Sequence, residues 1–166
     1  MSMLERITIS HAPAATVLIR IVVGTVFLSE GIQKFIFPDE VGAGRFAKIP
    51  IANAETVAPL IGGIEAVCGI LILAGLFTRF AAIPLIAIML TAIFTTKIPI
   101  LLGSEFLGFS LRKVSYYGIW GFLHESRTDL AMLFGSLFLL IVGAGRISID
   151  NILSRARQID EPENKS

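Results

Sequence analysis

The sequence predicts an all-α fold, an integral membrane four-helix bundle with an interfacial or re-entrant segment between helices 3 and 4. Hydrophobic residues make up 54% of the 166 residues and charged residues only 16%, compared with roughly 45–50% and 25% in soluble domains. The mean hydropathy is +0.79, and four windows of about 20 apolar residues are long enough to cross a bilayer. Because a soluble domain of this size leaves about a third of its unfolded surface in water, lipid accounts better for the apolar excess.

Each predicted span ends at a charged residue, a proline or a glycine. Because Arg20 interrupts the first apolar stretch and no cleavage site follows it, we expect this span to remain in the mature protein. The spans form one membrane domain, residues 1–149, followed by a cytoplasmic tail, residues 150–166, expected to form a solvated amphipathic turn and then disorder. The four spans cover residues 14–37, 56–77, 80–96 and 128–145. The residues that end or separate them are Pro38, Thr78 with Arg79, Lys97 with Pro99, and Arg146.

An even number of spans places both termini on one side of the membrane. Basic residues next to spans tend to stay in the cytoplasm. The short turn at Arg79 and the basic residues Arg146, Arg155 and Arg157 therefore favour cytoplasmic termini in the cell (inner) membrane.

Residues 98–127 separate the last two spans and are rich in aromatic residues and glycine. Tyr116, Tyr117 and Trp120 favour the headgroup region of a bilayer, and the segment is too polar for a fifth span. We expect it either to lie at the interface or to dip back between the helices, and the sequence leaves both arrangements open.

Composition and motifs exclude several classes of function. The 14 basic and 13 acidic residues give a net charge of +1, so no basic patch indicates a nucleic-acid partner. Cys68 is the one cysteine and cannot form an internal disulfide, and with His11 and His124 it does not make a zinc site. We expect no metal and no cofactor held by a recognisable motif, and no self-contained catalytic constellation stands out.

Ionisable residues inside apolar windows are the first candidates for function, because a charge in a bilayer is costly and normally faces the bundle interior. They are Arg20, Glu30 and Glu65. Helical spacing places them on or beside two stripes that also contain small residues, which let helices approach closely in lipid. We therefore expect the two stripes to pack together. Their members are Arg20, Gly24, Phe27, Gly31 and Lys34 on the first span, and Gly62, Glu65, Gly69, Ile72 and Leu76 on the second.

Antiparallel packing would put Arg20 about 9 Å and Glu65 about 18 Å from the terminal side at roughly 1.5 Å per residue. A long arginine side chain could largely close that gap, so we predict an Arg20–Glu65 ion pair. Two interpretations stay open. The pair either only fixes helix register, or Glu65 or Glu30 forms a site for a proton or a polar ligand.

A second polar cluster, residues 124–129, precedes the fourth span. Ser126 or Thr128 could cap that helix, with Glu125 and Asp129 favourably placed near its N-terminus. Alternatively, the cluster forms a shallow polar site on the same side of the membrane as Glu30 and Lys34. His124 would then be its pH-sensitive member.

Several residue patterns carry a family resemblance. They are Arg20 with Gly24, the G-x-x-K of Gly31 to Lys34, the Gly62-Gly63-x-Glu65 element, the Gly75-Leu76-Phe77-Thr78-Arg79 turn followed by Ala81-Ala82, and the Gly121-x-x-His124-Glu125-x-Arg127-x-Asp129 block. With them the sequence closely resembles the DoxX family of small four-helix membrane proteins along nearly the whole chain.

The resemblance implies a membrane subunit without redox centres of its own. Members of the family are linked to a terminal quinol oxidase, to a thiosulfate:quinone oxidoreductase and to thiol homeostasis. By resemblance, this chain is expected to be an accessory or anchor subunit of a quinone-linked oxidoreductase complex, with quinone as a candidate ligand and a redox enzyme as partner. The candidate pocket is Arg20, Glu30, Lys34 and Glu65, with His124, Glu125, Arg127 and Asp129 at its mouth.

Two alternatives to this function stay open. The chain could be a small-molecule or proton-coupled transporter that uses the buried carboxylates. It could be a purely structural membrane scaffold. Its glycine-rich faces would also permit a homo-oligomer.

Overall fold

The computed structural model describes residues 12–47, 49 and 53–160. Helices are the regular elements of this part of the chain, which confirms the predicted all-helical class. The α-helices are α1 (Thr16–Ile36), α2 (Ala43–Phe46), α3 (Ala54–Ala74), α4 (Thr78–Ala92), α5 (Ile98–Leu102), α6 (Ile119–Val142) and α7 (Ile149–Asp160), and a π-helix (Ile93–Lys97) joins α4 to α5.

Three helical stretches in the described residues are long and apolar enough to cross a membrane: α1, α3, and the continuous run Thr78–Leu102. Their outward faces carry many exposed large apolar side chains, including Leu18, Leu60 and Ile83, as expected for surfaces in lipid. Helix α6, with 24 residues, is similar in length to these stretches. It is not among them, and its first half holds the charged block of residues 124–129. The chain therefore has the architecture of a helical membrane protein.

Helices α1 and α3 pack antiparallel along the two predicted stripes. A Cβ atom added to Gly31 would lie 2.6 Å from the Gly62 carbonyl oxygen, and one added to Gly69 would lie 2.9 Å from that of Gly24. The backbones thus touch where no side chain fits between them, which is how small residues pack helices in lipid. Phe27, 1% exposed, belongs to a buried apolar cluster with residues of α3, α4 and α6.

Helices α4 and α6 form a second antiparallel pair, and the short α3–α4 turn connects it to the first pair. This turn needs left-handed backbone at Gly75 (φ +68) and Phe77 (φ +49). Asp150, at the start of α7, caps α4, because its carboxylate accepts hydrogen bonds from the Phe77 and Thr78 N–H groups at 2.9 and 3.3 Å. We call this end of the bundle, where α1 begins and α3 ends, the terminal end, and the opposite end the distal end.

The third helical stretch is longer than predicted. Lys97 and Pro99 were expected to close the span at residue 96, but the helix continues as the π-helix and then as α5. Pro99 lies in the first turn of α5, where a missing N–H costs no hydrogen bond. Lys97 is buried, 6% exposed, and finds an ionic partner on α6, so its charge does not end the helix.

Helix α6 begins at Ile119, well before the predicted start at residue 128. The charged block that suggested a helix start lies inside the helix, where Glu125 and Asp129 are paired with Arg112 and Lys97 of neighbouring elements. Ser126 is buried and donates a hydrogen bond to the Phe122 carbonyl, 2.5 Å away in the preceding turn. The predicted capping role of Ser126 or Thr128 is therefore wrong.

Residues 103–118 connect α5 to α6 without regular structure apart from one bridge between Phe106 and Phe109. The Phe94 ring contacts both of these rings edge-on, at centroid distances of 5.5 and 6.2 Å. Tyr116 and Trp120 remain exposed. The segment thus folds against the distal end of the helices, while its depth in a membrane, interfacial or re-entrant, stays a prediction.

The region after α6 contains a 12-residue helix, α7, where a single amphipathic turn was expected. Residues 161–166, the predicted disordered end of the tail, lie outside the described residues, as does His11.

Candidate functional site: a cavity lined by ion pairs

A cavity of about 470 Å³ opens among α1, α3, α4, the π-helix and α6, toward the distal end. Its walls are both apolar and charged, which is typical of pockets that bind small molecules. The apolar side chains that line it include Val26, Phe27, Ile61, Ile88, Met89 and Met132. The ionisable residues that line it are Glu30, Lys34, Arg45, Glu65, Lys97, Glu125 and Asp129.

The more deeply buried of the two ion pairs that line the cavity joins Lys34 of α1 to Glu65 of α3. The Lys34 Nζ atom lies 2.5 Å from Glu65 Oε2, and the two side chains are 8% and 3% exposed. The same Nζ donates a longer hydrogen bond, 3.4 Å, to the Glu30 carbonyl oxygen. A Cβ atom added to Gly62 would lie 3.1 Å from Lys34 Cβ, so the lysine side chain passes over a position that is open because Gly62 has no side chain.

Arg20 does not pair with Glu65, so the predicted Arg20–Glu65 ion pair is wrong. The Arg20 guanidinium instead lies at the terminal end and donates to the Ile72 and Leu73 carbonyl oxygens, at 2.8 and 2.5 Å. It also donates to two carbonyls after α6, those of Ala144 at 3.2 Å and Ile147. Leu73 is among the last residues of α3, whose carbonyls lack intrahelical partners, and a guanidinium can serve several carbonyls at once.

A second ion pair crosses the cavity near its distal end. The Lys97 Nζ atom of the π-helix lies 3.2 Å from Asp129 Oδ2 of α6. Because the π-helix widens one turn of the long helix, it brings Lys97 to the bundle interior, and π-turns are frequent at functional sites. We did not predict Lys97 as a site residue, since a lysine between an apolar window and a proline resembles the end of a span.

The predicted mouth residues divide into two groups. Glu125 and Asp129 line the cavity, whereas His124 and Arg127 do not. Glu125 is paired with Arg112, which lies in the connection between α5 and α6 (residues 103–118), so this ion pair holds the connection against α6. The His124 ring lies beside Tyr116, with a centroid distance of 5.9 Å, and Arg127 donates to the His124 carbonyl at 2.8 Å.

The loop between α1 and α3 covers part of the opening. Arg45 and Phe46 of α2, with Val41 and Ile49 on either side, line the cavity, and we did not predict any of them as site residues. A four-residue helix in a loop of glycine and charge gives little sequence signal. The one available clue is an arginine and a phenylalanine side by side within a polar loop.

The cavity is close to electrically neutral. Its lining holds four acidic and three basic residues, and Arg112, which pairs with Glu125, supplies a fourth base. An ion entering would therefore meet no strong net attraction, while a neutral molecule could exchange hydrogen bonds with the paired groups. No cluster of three or more His, Cys, Asp or Glu within the described ranges is suited to a metal ion.

Comparison with known proteins agrees with this architecture. The profile of the DoxX family matches residues 15–98. The chain belongs to the DoxX family. It is also similar to a Mycobacterium tuberculosis protein described as "Uncharacterized membrane protein Rv3486", with 48% identity over 150 residues, or 90% of this chain and 88% of that protein. No solved structure matches the chain.

The DoxX match covers every wall of the cavity except the one formed by α6. Glu30, Lys34 and Glu65 lie within it, and Lys97 lies near its end, whereas Glu125 and Asp129 on α6 lie beyond residue 98. The ion pair between Lys34 and Glu65 is therefore formed entirely by residues of the family-matched region.

Proposed function

We propose that this DoxX protein is an accessory or anchor subunit of a quinone-linked membrane oxidoreductase and that its cavity binds a quinone or quinol. The observation that carries the proposal is the neutral, amphipathic cavity next to two buried lysines. A quinone is itself neutral, with an apolar ring and tail and two carbonyl oxygens that accept hydrogen bonds.

The walls of the cavity suit the two parts of such a ligand. Phe27, Ile88 and Met132 offer apolar surface for a ring, and the Lys34 and Lys97 ammonium groups can donate to a carbonyl oxygen. The volume of about 470 Å³ falls within the range of roughly 300–1,000 Å³ common for small-molecule sites. Glu65 and Asp129 hold the two lysine side chains in place through ion pairs, with N–O distances of 2.5 and 3.2 Å.

An accessory role follows from what the chain's own groups can do. Cys68 is the single cysteine and is buried in α3, so dithiol chemistry would need a thiol from another protein. Electron transfer to a quinone would likewise depend on a partner subunit that carries redox centres.

We further propose that α6 is a fourth span, with both termini in the cytoplasm of a bacterial-type inner membrane. At 1.5 Å per residue its 24 residues extend about 36 Å, enough to cross a bilayer core. Its charges at Glu125 and Asp129 are paired, and Phe134 and Ile141 are exposed at 63% and 73% on its outer face. Arg79 and Arg146 at the terminal end agree with a cytoplasmic location.

The test is affinity purification of the full chain from its native membrane in mild detergent, followed by identification of co-purified subunits and extraction of bound quinone. Ala92→Phe, whose larger side chain fills part of the cavity, should lower the affinity for quinone about tenfold, which is a loss of about 1.4 kcal/mol in binding free energy, and less quinone should therefore co-purify. The matched control is Ile83→Phe on the exposed face of the same helix, which should leave the affinity unchanged. Recovery of the chain alone, without quinone or an oxidoreductase subunit, would overturn the proposal.

A transport experiment separates the main alternative. In proteoliposomes of the purified chain, proton or solute flux that falls in Glu65→Gln but persists in Glu55→Gln, an exposed residue of the same helix, would favour a transporter instead. If the unaltered chain and both variants show no flux, and the unaltered chain binds quinone, the result supports the subunit assignment.

A further inference from the structure

Helix α7 presents an uncovered apolar face at the terminal end of the bundle. Ile149, Ile152 and Leu153 are 40%, 66% and 42% exposed. Their spacing of three and four residues puts them on one side of the helix. Ile147, just before the helix, is 59% exposed. Because an apolar helix face is unfavourable in water, we expect this face of α7 to pack against an apolar surface.

The first turn of α7 is fastened to the helix ends. Asp150 is 3% exposed, its carboxylate caps α4 at Phe77 and Thr78, and its N–H donates to the Gly75 carbonyl oxygen at 2.9 Å. These bonds hold the start of α7 at the level where α3 ends and α4 begins. Phe77, 40% exposed at that level, continues the lipid-facing surface of the bundle toward α7.

The charges around this face are basic. Arg146 is exposed, and Arg155 and Arg157 follow the apolar residues in the sequence. Asp150 is engaged in capping, and the following acidic residues begin only at Asp160. An apolar helix face combined with basic residues next to a membrane-spanning bundle is typical of helices that lie in the headgroup region.

We propose that α7 lies in the plane of the membrane, with Ile149, Ile152 and Leu153 inserted at the headgroup boundary and the flanking arginines bound to anionic lipid phosphates. The partner is thus a negatively charged lipid surface. The proposal goes beyond the quinone-subunit function and does not depend on the cavity.

The test uses spin labels on the full-length chain reconstituted in phosphatidylcholine vesicles with and without phosphatidylglycerol. In a Cys68→Ser background, single cysteines replace Asn151, Ile152, Leu153 and Ser154 in turn, and collisions with dissolved oxygen and with a water-soluble nickel chelate are measured. With phosphatidylglycerol present, labels at 152 and 153 should favour oxygen and labels at 151 and 154 the chelate. Without it, or with Arg155→Gln and Arg157→Gln combined, the labels at 152 and 153 should shift toward the chelate.

Three outcomes would overturn the proposal. Equal access of the chelate to all four positions means that α7 lies in water. Shielding of positions 152 and 153 from both reagents means that protein, a second copy or another subunit, covers the face. Identical profiles with and without phosphatidylglycerol mean that anionic headgroups are not what the arginines bind. Circular dichroism of each variant checks that the bundle is folded, and the labels at 151 and 154 serve as controls in every sample.

Discussion

Replacing Gly31 with alanine tests whether α1 and α3 are in direct backbone contact. The added Cβ atom would lie 2.6 Å from both the Gly62 carbonyl oxygen and the Ala66 nitrogen. These are backbone atoms of α3, so no side-chain rotation relieves the clash. The two helices must instead move apart at this level.

The size of the effect follows from that geometry. Ordinary Cβ contacts begin near 3.4 Å, so the helices must separate by about 0.8 Å, and overpacking of this kind costs about 1–3 kcal/mol. Gly63 is the matched control, because a Cβ atom there meets nothing within 4 Å. Gly63→Ala gains only helix propensity, up to about 1 kcal/mol.

The assay is thermal unfolding of the two purified variants in the same detergent, monitored by circular dichroism. At about 2–4 °C per kcal/mol for a chain of this size, Gly31→Ala should unfold about 2–12 °C below Gly63→Ala. Equal unfolding temperatures for the two variants would show that α1 and α3 do not meet at these glycines, and the helix pairing described here would be refuted.

Three further predictions concern the polar contacts. Lys34→Met leaves the Glu65 carboxylate buried without its partner and should lower the free energy of unfolding by about 3–5 kcal/mol, whereas the double variant with Glu65→Leu should recover most of that loss; a double variant as unstable as the worse single would contradict the pairing. Asp150→Ala removes the cap of α4 and should cost about 1–2 kcal/mol, while Asp150→Asn, which can still accept a hydrogen bond, should cost less in the same melting assay. In Arg20→Lys the ammonium group cannot serve all four carbonyls bound by the guanidinium. The free energy of unfolding should fall by about 1–3 kcal/mol for each carbonyl left unsatisfied. Arg146→Lys at an exposed position is the control, and similar melting temperatures of both variants would argue against the hydrogen-bond network.

Local patterns predicted α1 and α3 closely. Apolar length and the spacing of small residues are properties of a short stretch of chain, and they correctly indicated which faces of the two helices meet at Gly24, Gly31, Gly62 and Gly69. The ends of the helices after α3 could not be predicted from local patterns in the same way. Lys97 continues a helix because Asp129, distant in sequence, neutralises it, and that pairing exists only after the chain has folded.

The candidate residues illustrate the same difference. Glu30, Lys34 and Glu65 share one side of the bundle by helical register, and the structure places all three on the cavity. The Arg20–Glu65 pair was predicted from the two facing stripes and from depth, since sequence does not reveal that backbone carbonyls compete for a guanidinium. Arg45 and Lys97 were missed because one lies in a loop and the other in a π-turn, and neither has a repeating pattern.

The π-helix has a consequence for comparing this chain with its relatives. Each residue of an α-helix turns the chain by about 100°, so a single residue more or fewer in Ile93–Lys97 rotates everything beyond it by that angle. Loss of one residue would carry the lysine away from Asp129 even though both amino acids were retained. Among relatives, the spacing between Pro84 and this lysine is therefore as informative as the lysine itself, because a one-residue gap in an alignment there marks a differently charged cavity.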